Sequence, residues 1–194
     1  MKRLTVGAAG VAAIAVALLA GGLLTSGAAR ASVTVIGGGL AEDCSKGALS
    51  GKVDARLEET CTKALEMEVL TSRDRAGTLV NRGVLKMRRL NWAGATKDFD
   101  EAVRVRPDMG EAYVNRGAVL IGQHHYAESL TDLNKGLQLG VEEPAKVYFN
   151  RALAYEGMDD EKSAYFDYQK AVELSPDWAA PKTELARFHV ERKE

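Results

Sequence analysis

The polar residue types able to do chemistry in this chain recur at intervals. Asn81, Asn115 and Asn150 are 34 and 35 residues apart, and each is followed directly by an arginine: Arg82, Arg116 and Arg151. A carboxamide both donates and accepts hydrogen bonds. Three in register can therefore pair with the alternating N–H and C=O groups of an extended backbone; otherwise each bonds a neighbouring helix or water. The arginines have acidic counterparts sixteen residues on, at Asp98, Asp132 and Asp167. A charge beside a packing face needs a partner, so each Arg–Asp set reads as an ion pair that fixes local register. This chemistry is recognition and scaffolding.

Catalytic patterns are missing. The histidines are His124, His125 and His189, and the first two fall in a turn-like stretch where polar residues are the default. No nucleophile sits with a plausible base, no metal-ligand set is spaced for coordination, and Gly37-Gly38-Gly39 lacks the strand-to-helix context of a phosphate loop. No catalytic residue, metal, cofactor or small-molecule substrate is expected.

Charge narrows the partners further. The 26 basic and 27 acidic residues leave a net charge of −1. Nucleic-acid binding needs a basic surplus, so nucleic acid is excluded as the main partner. The four prolines all lie at or after Pro107, and aromatics are few, which suits helices better than strands.

The N-terminus has the three parts of an export signal. Lys2 and Arg3 precede an uncharged stretch from Leu4 to Ala29, and Ala29-Arg30-Ala31 offers small residues at a cleavage site. Residues 1–31 are expected to be a signal peptide, placing the remainder in the periplasm or outside the cell. The alternative is an uncleaved membrane anchor facing the periplasm. Cys44 and Cys61 are the only cysteines. In an oxidising compartment such a pair reads as a disulfide.

The asparagines sit in longer recurring strings: Leu79-Val80-Asn81-Arg82-Gly83, Tyr113-Val114-Asn115-Arg116-Gly117 and Tyr148-Phe149-Asn150-Arg151-Ala152. Numbered from Ala76, Gly110 and Ala145, small residues fall at place 8 (Gly83, Gly117, Ala152) and place 20 (Ala95, Ser129, Ala164). Large residues fall at place 24 (Phe99, Leu133, Tyr168), small ones again at place 27 (Ala102, Gly136, Ala171), and Pro107 and Pro176 at place 32. Spacings of three and four put each set on one helix face, and a period near 34 is a repeat signature. This pattern resembles the tetratricopeptide repeat family. The middle unit departs, with Val141 at place 32 and Pro144 shifted.

The resemblance implies an all-α solenoid of antiparallel helix hairpins. Its expected parts are an N-terminal cap or degenerate repeat over 32–75, repeats over 76–109, 110–144 and 145–178, and a C-terminal cap helix over 179–194. The N-terminal part is a hairpin tied by Cys44–Cys61, and Ser32 to Gly39 is a loose leader. Asp108 and Asp177 are expected to cap the helices that follow them.

The resemblance also implies that place 6, with Asn81, Asn115 and Asn150, faces a concave groove. The groove would be lined by Val80, Val114, Ile121 and Phe149. Its one cation is Lys146, too few for recognition of an acidic C-terminus. The expected function is non-catalytic binding of a protein or extended peptide. A structural subunit docked in an envelope complex, or a membrane-anchored adaptor, is the alternative. Polar residues such as Lys97, Glu101 and Arg104 on the convex face favour the groove.

Overall fold

The computed structural model describes residues 3–6, 33 and 39–191. Helix pairs follow one another along the chain. They are α1 (Leu40–Leu49) with α2 (Ala55–Met67), α3 (Ser72–Arg88) with α4 (Trp92–Val105), α5 (Gly110–Gly122) with α6 (Tyr126–Leu139), and α7 (Pro144–Glu156) with α8 (Glu161–Leu174). A short α9 (Ala179–Leu185) packs on α8. Each hairpin contacts the next, and the first helices also touch one another: α1 with α3, α3 with α5, and α5 with α7. The result is an α-solenoid with an inner layer of first helices and an outer layer of second helices.

Hairpin packing follows the expected faces. Phe99, Leu133 and Tyr168 at place 24 are fully buried, as are Ala95, Ser129 and Ala164 at place 20. Gly83 shows why place 8 is small. A Cβ there would lie 2.4 Å from Cε1 of Phe99, so the glycine lets α3 close onto the ring.

Helix starts use local oxygens. Asp54 caps α2, Thr71 caps α3, Asn91 caps α4 and Asp160 caps α8. Asp108 and Asp177 are not caps, contrary to expectation. The residues preceding α5 and α9 are Met109 and Trp178, without a side-chain cap bond, and Asp108 is drawn off by Arg106 at 2.7 Å. The turns inside the three repeats share a device. Leu90, His124 and Asp159, all at place 15, have φ of 60°, 63° and 60°.

The N-terminal hairpin is tied as expected, with Cys44 bonded to Cys61 across α1 and α2. Glu68 closes it further. Its carboxylate accepts from the N–H groups of Leu40 and Ala41 at 2.6 and 3.1 Å, placing negative charge at the N-terminus of α1. Gly39 precedes that helix at φ 106°, where a Cβ would fall 2.3 Å from Glu68.

The C-terminus departs from the expected long cap helix. Helix α9 ends at Leu185, well short of the expected 179–194, and Ala186 after it is exposed. Arg187 then turns to Glu156 while the ring of Phe188 packs 5.7 Å from Tyr165 and 6.0 Å from Tyr168. Consecutive residues of a helix point about 100° apart, so ending the helix lets both reach the repeat. Phe188–Glu191 forms an antiparallel strand pair with Arg3–Val6. Most of the expected signal segment, residues 7–31, lies outside the described residues, and no described helix is long and apolar enough to cross a membrane.

Candidate functional site: the amide row of the inner helices

The Arg–Asp sets build the frame of the site. Arg82, Arg116 and Arg151 each grip their aspartate with two bonds: 2.9 and 2.7 Å to Asp98, 2.7 and 2.8 Å to Asp132, 2.6 and 2.8 Å to Asp167. The aspartates are buried, and bidentate geometry fixes the angle between helices as well as their distance. The bonds to Asp132 and Asp167 raise the Arg116 and Arg151 guanidiniums above the usual arginine value.

Each arginine has a second target not foreseen from the sequence. Its remaining arm crosses to the preceding hairpin: Arg82 to Thr62 Oγ1 at 3.2 Å, Arg116 to Asp100 at 3.0 Å, and Arg151 to Asn134 Oδ1 at 2.7 Å. Asp100 and Asn134 share place 25, and Thr62 is its equivalent in α2. One side chain thus sets the hairpin angle and stitches neighbouring hairpins together. In the first repeat Lys86 adds a second cation to Asp98, at 2.8 Å.

On this frame the place-6 asparagines are all buried, at 0%, 1% and 1% exposure for Asn81, Asn115 and Asn150. Their amides are used differently. Asn81 holds the backbone of one residue with both ends of its amide: Oδ1 accepts from the N–H of Val33 at 3.1 Å, and Nδ2 donates to its carbonyl at 3.0 Å. Ser45 on α1 donates to that same carbonyl at 3.0 Å. Nδ2 of Asn115 donates to the Glu111 carbonyl one turn back, at 2.9 Å. Nδ2 of Asn150 is buried without a hydrogen-bond partner among the described residues.

The expected apolar lining is corrected. Val80, Val114 and Phe149, at place 5, turn into the hairpins and not onto an open groove. Val80 is fully buried in the cluster of α3 and α4. Val114 fills the gap left by Gly136, where an added Cβ would meet its Cγ2 at 2.5 Å. The ring of Phe149 lies 5.5 Å from Tyr168 and 4.9 Å from Trp178. Ile121 is likewise buried, at 4%. Place 5 is one residue from place 6, and that step rotates the side chain from the groove to the partner helix. Lys146 is bonded to Glu143, so its charge is already matched.

A buried cluster at the C-terminal end was also missed. Glu156 accepts from the hydroxyl of Tyr168 at 2.5 Å and from Arg187 at 2.6 Å. Burial holds its carboxyl above the ordinary range even though both bonds pull the other way. Burial, then Glu156, pushes the Tyr168 hydroxyl well up. The three come from α7, α8 and the segment after α9. No periodic signal links them, and together they seal the last repeat.

Comparison with known proteins agrees with this architecture. Residues 145–177 match the tetratricopeptide repeat family model. Over 117 residues the chain is 31% identical to the DnaJ homolog subfamily C member 7 homolog of Schizosaccharomyces pombe, covering 58% of this chain and 24% of that protein. The chain thus spans about a quarter of the length of this curated relative. Among solved structures, MamA 41-end from Desulfovibrio magneticus RS-1 superposes with a TM-score of 0.60 at 20% identity, over 76% of this chain and 82% of that one. The first TPR of Spaghetti (RPAP3), bound to the HSP90 peptide SRMEEVD, superposes with a TM-score of 0.54 at 20% identity, over 58% and 88% of the two chains. The fold is a tetratricopeptide-repeat α-solenoid.

Proposed function

We propose that this chain is a non-catalytic peptide- or protein-binding module, exported or membrane-held through its N-terminal segment, whose inner helices take an extended backbone along Asn81, Asn115 and Asn150. One observation carries the reading. The Asn81 amide grips both backbone groups of Val33, which is the contact that a bound extended peptide needs. Two repeats away, Asn150 offers the same group with its donor unused by the described residues. That a similarly folded domain holds an HSP90 peptide supports the class of ligand. An acidic C-terminal peptide is not favoured, because Lys146 is matched by Glu143 and the arginines are matched by aspartates.

The test uses peptides selected from a random display library against the full chain, with affinities read by fluorescence anisotropy. Loss of one amide bond costs roughly 0.5–1.5 kcal/mol, or about 2- to 13-fold in affinity. Asn150→Ala should weaken binding by that factor. Its melting temperature should hold or rise, because the substitution removes a buried unpaired donor. Unchanged affinity in Asn150→Ala and Asn115→Ala alike refutes the amide row as the binding element. An exposed Phe166 on the outer helix α8, at 53%, marks where binding would then be sought, as a docked structural subunit.

A further inference from the structure

We infer that Val33 is a tethered ligand. Val33 occupies the first rung of the groove, competes with ligands in trans, and shows what they are: extended peptides with β-branched apolar residues. This rests on the groove reading and names both its occupant and its preference.

Three hydrogen bonds converge on this one residue, two from Asn81 on α3 and one from Ser45 on α1. Both backbone polar groups are therefore satisfied by side chains of the solenoid. The partners are 48 and 12 residues away in sequence, so the contact is not a turn or a helix cap. The amide pair reads backbone alone and would accept any residue except proline at that point. Selection must come from the side chain, and the valine is partly buried against the hydrophobic cluster built on α3 and α4. A stiff, branched side chain suits an extended backbone and an apolar seat. A charged one would have to be desolvated there.

The tether makes this contact regulatory. A segment joined by a short linker acts at an effective concentration of roughly millimolar. A free peptide with a Kd near 100 μM for the same rung would be held back about tenfold or more. Ligand entry is then easiest at the far end, where the Asn150 donor has no partner among the described residues, with displacement of Val33 as the later step.

The experiment uses a fluorescein-labelled peptide of the leader sequence, Ser-Val-Thr-Val-Ile-Gly-Gly-Gly, titrated by anisotropy into the full chain. Val33→Asp is the opening variant. It places a charge against the apolar seat and leaves the groove residues intact, with circular dichroism confirming the fold. If it fails to fold, Val33→Pro, which removes the N–H donor and the valine side chain and fixes φ, replaces it. The opened variant should bind the peptide at least tenfold more tightly than the wild type, and adding Asn81→Ala should reverse the gain. Amide exchange provides a second reading in the wild type: the Val33 N–H should be protected, and Asn81→Ala should abolish that protection. Equal affinity in wild type and opened variant, no binding to either, a gain indifferent to Asn81→Ala, or an unprotected Val33 amide overturns the inference. The exchange result stands apart from the Asn150 experiment, so failure of the general binding reading and failure of the tethered-ligand reading are told apart.

Discussion

Replacing Arg116 with alanine tests whether the repeated guanidinium is the structural stitch. The side chain is about one-quarter exposed and Asp132 about one-tenth. Breaking a fully buried pair costs about 3–5 kcal/mol, whereas an exposed one is worth about 0–1. This partly buried case falls between them, at about 2–3 kcal/mol, most of it the cost of leaving Asp132 buried beside no cation. The bond to Asp100 adds little, because Asp100 is 56% exposed and solvent screens it. The first repeat is the internal control. There Lys86 lies 2.8 Å from Asp98 and is left as a cation for it when Arg82 is removed, so Arg82→Ala should cost about 1 kcal/mol less than Arg116→Ala. Urea unfolding of the single and paired alanine variants supplies the double-mutant cycles. Coupling should be about 1.5–2 kcal/mol for Arg116 with Asp132, and about 0.2–0.5 for Arg116 with Asp100. An additive Arg116–Asp132 cycle, or equal costs for Arg82→Ala and Arg116→Ala, would refute the reasoning.

Other substitutions probe separate features. Gly83→Ala should destabilise by about 1–3 kcal/mol, because its Cβ would lie 2.4 Å from a fully buried ring; a neutral result in thermal unfolding would show that Phe99 can yield. Leu90 is half-exposed at φ 60°, and the left-handed conformation costs a non-glycine residue about 1–2 kcal/mol. Leu90→Gly should recover about 0.5–1 kcal/mol of that, raising the melting temperature by about 1–4 °C. Glu156 titrates above the ordinary carboxyl value because it is buried, so the folded state binds its proton more tightly than the unfolded state. Its contribution is complete below the unfolded value and is lost as pH rises through the folded one. The melting-temperature advantage of wild type over Glu156→Gln should therefore shrink as pH rises from about 4.5; an advantage that grows with pH contradicts the raised value.

The hairpins were legible because their determinants repeat. Small residues at places 8, 20 and 27 and bulky ones at place 24 are set by backbone approach, which depends on residue type. The Arg–Asp pairs were legible for the same reason. Thr62, Asp100 and Asn134 were not, because they share only the ability to accept a hydrogen bond. Leu90, His124 and Asp159 share a backbone conformation that usually calls for glycine or asparagine, and only one of the three has a short polar side chain. Val80, Val114 and Phe149 were misplaced because a helix turns by about 100° per residue, so an error of one place exchanges groove for core. The Glu156–Tyr168–Arg187 cluster joins residues with no common period. The contact of Val33 with Asn81 joins residues 48 positions apart and lies outside the repeat period.

The asparagine row gains meaning from contrast with the arginine row beside it. All three arginines are satisfied identically, each by its own aspartate and by a residue of the preceding hairpin. A purely structural asparagine row should be just as uniform, since buried amides are costly unless paired. It is graded instead. Asn81 is engaged by a segment that is not part of the solenoid, Asn115 donates back to its own helix, and the Nδ2 of Asn150 lacks a partner among the described residues. The donor of the third amide is not used by the described residues, and the first amide is bonded to a residue outside the stacked helices. The unequal use of Asn81 and Asn150 is what the proposed exchange of one extended chain for another requires, with Asn81 bonded to Val33 and Asn150 able to take a further partner.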